Sequence, residues 1–241
     1  MKRALFLTAY DRPQYLAPVL DSWSDVRGLD RWRMVFRIEP SEVTDVMVRL
    51  VEQFIERTGL TDYEIIVNPQ RYGVLHHPWV GFDDLFATCG FDFVVRAEDD
   101  LLVSTDILEY FEWASEFFAV DPRVAVIHGH TWYQGPDDTV MVTEHFSPLV
   151  WGTWRPVWDQ TIRDSWDHDY STFTGQPGHE AGWDWNLNKR ILPTNGLKCA
   201  WPTASRVDHI GVVGTHGTPE NFVRSESFQA QRPVTRYRLL A

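Results

Sequence analysis

Little in this chain supports a cross-linked scaffold, a membrane span or a nucleic-acid surface. It has two cysteines in 241 residues, Cys89 and Cys199. That is too few for a disulfide framework, and they form no C-x-x-C metal pair. Both lie among apolar neighbours and are expected to be buried thiols. No segment reaches the roughly 18–20 continuous apolar residues that cross a bilayer. The start, M-K-R-A-L-F-L-T-A-Y, is basic and then apolar, but Asp11 and Arg12 cut the run short of a signal peptide. It reads as a buried first strand, and the protein as cytoplasmic. Positive charge is in deficit, with 22 Lys and Arg against 34 Asp and Glu and a net charge of −12. This argues against loose binding to duplex nucleic acid, which needs a basic surface. Both common Gly-rich phosphate loops, G-x-x-x-x-G-K-[ST] and G-x-G-x-x-G, are missing. A nucleotide would have to be held by metal, basic side chains and stacking.

What is present is an alternation of apolar strands and amphipathic helices. R-A-L-F-L-T-A, R-M-V-F-R-I-E, Y-E-I-I-V-N, F-D-F-V-V-R-A-E and R-V-A-V-I-H-G read as five strands. Between them, helices are expected over 13–26, opening at Pro13, from Ser41 to Arg57 with Gly59 as its stop, after Pro78, and over 105–120, capped by Ser104 or Thr105. The pattern predicts an α/β fold with a mostly parallel sheet covered on both faces. After residue 130, Gly, Pro, His and Trp interrupt the periodicity. Short helices are expected in W-R-P-V-W-D-Q-T-I-R and A-G-W-D-W-N-L-N-K-R, and short strands in K-C-A-W-P and S-R-V-D-H-I. The twelve tryptophans concentrate in this half, either as a Trp-heavy core or as a cleft that stacks on sugar rings or bases.

Ligands of parallel sheets collect at the carboxyl ends of strands. Three polar clusters sit at such ends: Asp11-Arg12 after the first strand, Glu39 after the second, and Glu98-Asp99-Asp100 after the fourth. They are expected to converge. Three adjacent carboxylates repel one another, and a hard divalent cation relieves that repulsion while leaving positions for phosphate oxygens and water. The H-G-H at 128–130 is a weaker metal candidate, since two histidines in one turn are more often hydrogen-bonded structure.

These residues resemble a family. E-D-D-L-L-V-S-T-D-I-L-E-Y-F is similar to the metal-binding segment of GT-A fold glycosyltransferases, in particular N-acetylglucosaminyltransferase I and its protein O-mannose relative. T-A-Y-D-R-P, V-A-V-I-H-G-H-T-W-Y-Q-G, S-P-L-V-W-G-T-W-R-P-V-W, G-W-D-W and S-R-V-D-H-I-G-V-V-G-T-H-G resemble further segments of that family, in the same order, from residue 4 to about 220. The resemblance implies a GT-A catalytic domain over 1–241. Residues 1–130 would bind the nucleotide sugar, 131–225 would form the acceptor and catalytic half, and 226–241 a C-terminal tail, whose Q-R-P-V-T-R-Y-R-L-L-A is by its own composition basic and could fold back or contact a partner. It implies an inverting, Mn²⁺- or Mg²⁺-dependent hexosyl- or N-acetylhexosaminyl-transferase using a UDP-linked donor. Asp100 would ligate the metal, and Asp99 would contact the ribose or sugar. Arg12, Glu39 and His76 would hold the nucleotide, with His77 adjacent to the last. Asp184 would be the catalytic base, Thr215 and Gly217 would belong to a loop over the diphosphate, and His216 could be a second metal ligand, as in many GT-A enzymes, although this subfamily does not need one.

The chain departs from Golgi members of the family in lacking an anchor, a stem and N-x-[ST] sequons, which suggests a bacterial or phage enzyme. The acceptor is open: a glycan, a protein, a small molecule or a modified nucleobase. A retaining transferase, a nucleotidylyltransferase and a non-catalytic carbohydrate-binding protein are the alternatives. The nucleotidylyltransferase would want a basic Gly-rich N-terminal loop, which T-A-Y-D-R-P-Q-Y does not supply.

Overall fold

Alternate residues of the central strands fill two separate cores. Leu5 and Leu7 of β1 (Arg3–Ala9) join one cluster with α1 (Pro13–Ser24), α2 (Thr44–Thr58) and α4 (Ile107–Phe117), while Ala4 and Phe6 join another. This is the period-two signature of a sheet covered on both sides. The computed structural model describes residues 1–169, 182–212 and 237–240. The remaining strands are β2 (Arg33–Ile38), β3 (Tyr63–Val67), β4 (Phe93–Glu98), β5 (Leu101–Val103), β6 (Val124–His128), β7 (Thr139–Thr143), β8 (Trp151–Trp154), β9 (Lys198–Pro202), β10 (Val207–His209) and β11 (Arg238–Leu239). Of the eleven strands among the described residues, nine form one sheet in the order β11-β7-β9-β6-β8-β4-β1-β2-β3, and β5 pairs with β10 apart from it. β1, β2, β3 and β4 run parallel, as the βαβ pattern requires. β8 lies between β4 and β6 and is antiparallel to both.

The second core holds α3 (Gly73–Asp83) and its π-helical continuation through Thr88, α5 (Arg155–Val157), α6 (Trp183–Asn186) and α7 (Leu192–Thr194). Four expectations need correction. The helix placed from Ser41 begins at Thr44, after a turn in which Thr44 Oγ1 donates to the Ser41 carbonyl at 2.9 Å. The helix placed after Pro78 begins at Gly73, with φ +73°, and carries Pro78 inside it. The helix placed over 105–120 starts at Ile107 without a side-chain cap; Ser104 Oγ instead donates to Asp106 Oδ1 at 2.6 Å. Cys89 is exposed, and only Cys199 is buried. Of the tail, Arg238 and Leu239 form β11, which adds to the sheet edge parallel to β7. Among the described residues no helix is long and apolar enough to cross a membrane.

Candidate active site

β1 has β2 on one side and β4 on the other, so the connections run in opposite directions at the β1–β4 boundary. Such a switch point opens a crevice at the carboxyl ends of the strands. Arg12 reaches it from the start of α1, and Asp99 and Asp100 from the end of β4. The Arg12 guanidinium spans both acids. Nη1 donates to Asp100 Oδ2 at 2.8 Å, and Nη2 donates to Asp99 Oδ1. The Tyr10 amide donates to Asp99 Oδ2 at 3.4 Å.

A second wall comes from β10, which pairs with β5 directly after the triplet and sets His209 opposite Leu101. His209 Nε2 lies 3.6 Å from Asp100 Oδ2, and the Ile210 amide donates to the Asp100 carbonyl at 2.9 Å. Burial pushes the Asp99 carboxyl up to about 6 against the pull of Arg12. Asp100 is also penalised by burial, but the adjacent His209 and the Arg12 bond hold it below its ordinary value. The neighbouring Asp100 carboxylate raises His209.

These residues fit a divalent cation. Asp100 Oδ1 is buried with no hydrogen-bond partner, the donors are hard carboxylate oxygens, and Gly211 leaves open the space beside Asp100 that a Cβ would fill. Among the described residues no three His, Cys, Asp or Glu side chains gather as a metal cage. A cation there would take one or two protein oxygens and complete its shell elsewhere.

Glu39, 3% exposed, faces the start of α3. It accepts from the Tyr72 amide at 2.8 Å and the Gly73 amide at 3.1 Å. Burial raises its carboxyl, opposed by these two bonds and by Arg71. Arg71 also lies 4.3 Å over the Tyr10 ring, linking this cluster to the end of β1.

The two neighbouring histidines separate. His77 is buried with Nδ1 3.1 Å from Glu39 Oε1. Burial first, then Arg37 and Arg96, brings its pKa down to about 3. It is therefore neutral, Nδ1 donates, and Nε2 is a buried acceptor with no partner. His76 turns away, stacks on Trp79 at 5.3 Å and meets His168 Nδ1 at 3.1 Å.

Asp184 lies half-buried in the first turn of α6. Its neighbour Trp183 is anchored by a parallel stack on Trp166, with centroids 4.9 Å apart. The Arg96 guanidinium lies 5.1 Å over the Trp183 ring. Arg96 also pairs with Glu98 Oε1 at 2.5 Å and donates to the Pro148 carbonyl at 3.3 Å, so one buried cation joins the triplet to the Asp184 segment.

Thr215, His216 and Gly217 lie outside the described residues. Of the tryptophans, Trp151, Trp154, Trp158, Trp166, Trp183 and Trp201 are all buried, whereas Trp132 is exposed. Most of the tryptophan is therefore core. His128 and His130 are also buried, and burial holds His128 well below its ordinary pKa and His130 near about 4.

Sequence reasoning missed His209 and Arg96. Both had a signal. Arg96 shares a strand face with Glu98 two residues on, and a cation inside an apolar strand needs a partner. His209 ends an alternating V-D-H that faces the triplet only once β10 pairs with β5.

No family model matches the sequence, and no curated protein matches it. Solved structures do. A mannosyltransferase from Pyrobaculum calidifontis, in complex with GDP-Man and Mn²⁺, superposes with a TM-score of 0.61 at 15% identity, over 93% of this chain and 60% of that one. S. aureus TarS in complex with UDP gives 0.60 at 13% identity, over 86% of this chain and 59% of that one. The chain thus spans about 60% of the length of these structures. The fold they share is GT-A.

Proposed function

We propose that the chain is a metal-dependent inverting glycosyltransferase. It moves a hexosyl or N-acetylhexosaminyl group from a nucleotide-diphosphate donor, UDP-linked by the resemblance, to a hydroxyl acceptor. The observation that carries this reading is the Asp99–Asp100 pair at the switch point, with one buried Asp100 oxygen unpartnered and glycine clearance beside it. The complexes with GDP-Man and Mn²⁺ and with UDP on the same fold support it. The buried tryptophans speak against a sugar-binding module built on a wide aromatic cleft.

Asp100 would ligate Mn²⁺ or Mg²⁺, which when bound supplies charge neutralisation for the leaving diphosphate. Asp99 would take the ribose or sugar hydroxyls, and Arg12 would turn from the carboxylates to the diphosphate. Glu39 and His76 would hold the base end of the nucleotide, as the resemblance implies, with His77 beside Glu39 as the alternative. Asp184 would accept the proton of the attacking acceptor hydroxyl, and the acceptor oxygen would form the new glycosidic bond as the bond to the diphosphate breaks. His216, Thr215 and Gly217 keep the roles that the resemblance implies.

Calorimetric titration of UDP, GDP and TDP with and without Mn²⁺, repeated on Asp100→Ala, tests this. Mn²⁺-dependent binding of one nucleotide, lost in the variant, is expected. Absence of binding for every nucleotide and metal condition overturns the reading.

A further inference from the structure

Helix α3 carries a proline near its centre, and the consequence reaches Asp184. Pro78 has no N–H, so it cannot return the hydrogen bond that the Val74 carbonyl, four residues earlier, accepts in an uninterrupted helix. The Val74 oxygen accepts instead from the indole Nε1 of Trp183 at 3.2 Å. One residue on, the Leu75 carbonyl accepts from Trp166 Nε1 at 2.9 Å. Trp166 and Trp183 are the pair stacked 8° from parallel.

A proline inside a helix costs about 3 kcal/mol relative to alanine. If packing were all that mattered here, an alanine would fill the turn without that cost. Proline removes the helical donor of the Val74 carbonyl, and Trp183 supplies one from outside the helix. The chain enters α6 through Gly182, whose φ of +104° is a conformation that L side chains rarely adopt. The backbone path there is permissive, so the direction of α6 depends on its anchor.

We propose that the carbonyl vacancy created by Pro78 is a positioning device: it holds Trp183, and Trp183 sets the direction from which the adjacent Asp184 carboxylate enters the site. This rests on the reading of Asp184 as the base. Pro78 and Trp183 are positioning residues and need touch neither donor nor acceptor.

Two substitutions act on the bond from opposite ends. Trp183→Phe keeps an aromatic ring against Trp166 and Arg96 but removes the N–H. Pro78→Ala supplies an N–H from within the helix that competes for the Val74 oxygen. The readouts are melting temperature, Mn²⁺-dependent affinity for UDP and GDP, nucleotide release from UDP-sugars and GDP-mannose, and titration of the Asp184 carboxyl by carbon NMR.

Pro78→Ala is expected to melt at or above the wild-type temperature, since the helix gains a bond. Nucleotide affinity should stay within about threefold in both variants. Turnover should nevertheless fall by about tenfold or more, and the Asp184 titration should differ from wild type. A purely structural proline gives no such opposition between stability and turnover.

An Asp184 titration identical in wild type, Trp183→Phe and Pro78→Ala overturns the proposal, whether or not a donor has been found. Asp184→Asn separates the two ideas. If that variant turns over normally, Asp184 is not the base and the proposal falls with that assignment. If it is inactive while the two positioning variants keep wild-type turnover and titration, only the positioning role fails.

Discussion

A Cβ built on Gly211 would collide with Asp100 Oδ2, the oxygen that also takes the Arg12 bond. Gly211 does not have a positive φ, so the demand at this position is for space. Gly211→Ala should displace the Asp100 carboxylate or the strand end beside it. Mn²⁺-dependent nucleotide affinity is expected to drop about tenfold, which corresponds to about 1.4 kcal/mol, with the melting temperature changed by only a few degrees. Calorimetry and a thermal melt on one sample check both.

Arg12 supplies the positive charge between two largely buried acids. Removing one partner of such a cluster strands the others, a loss on the order of 3 kcal/mol where burial is deep. Arg12→Gln should therefore lower the melting temperature by several degrees without metal. Added Mn²⁺ should recover much of that loss, because a cation at Asp100 restores the missing charge. Melts with and without Mn²⁺ on wild type, Arg12→Gln and Asp100→Ala decide it; a loss in Arg12→Gln that Mn²⁺ leaves untouched refutes this account.

Acid should destabilise the protein through its buried histidines. His77 sits near about 3 and His130 near about 4, both because of burial, whereas an unfolded histidine titrates near 6.5. Between these values the unfolded chain binds protons that the folded chain refuses, so stability rises with pH there and is lost as pH falls from about 6.5 toward 4. Asp99, raised to about 6 by burial, works in the opposite direction over part of the window. Comparing wild type with His77→Gln isolates the histidine contribution. The variant should show the shallower decline in melting temperature between pH 7 and 5.

Tyr237 ties the returning chain end to the core. Its hydroxyl donates to Asp106 Oδ2 at 2.7 Å, and the same oxygen lies 3.4 Å from Arg206 Nε. Arg206, 1% exposed, also lies over the Tyr110 and Tyr237 rings. Hydrogen bonds to charged groups contribute about 1.5–3 kcal/mol. Tyr237→Phe should cost about that much, measured by urea unfolding, and deletion of residues 237–241 should cost more because β11 is lost as well.

The half up to residue 130 was legible because each strand and helix there carries its own period and its own stop, such as Gly59 at φ +66°. Arg12 and the triplet could be placed together from strand-end logic alone. β7 and β8 were not foreseen. T-V-M-V-T and W-G-T-W are short, and their strand character comes from neighbours on both sides rather than from local alternation. The separation of His76 from His77 was equally hidden, because consecutive helical residues point about 100° apart and only the register of α3 against Glu39 decides which one meets it. The helix start before Pro78 was misjudged for a related reason. Proline usually opens a helix, but here two tryptophans from a distant segment satisfy the carbonyls of the turn before it.

The position of β8 has a consequence for synthesis. β4 and β6 are not neighbours: residues 151–154 stand between them, bonded to Phe93–Arg96 on one side and Val126–His128 on the other. A nascent chain released only as far as residue 130 has both flanking strands but not the one that joins them, so each keeps an open, strongly apolar edge. Ribosome-stalled or truncated fragments ending near 130 should aggregate, and fragments that reach past 154 should be the first in which β1, β4 and β6 belong to one continuous sheet.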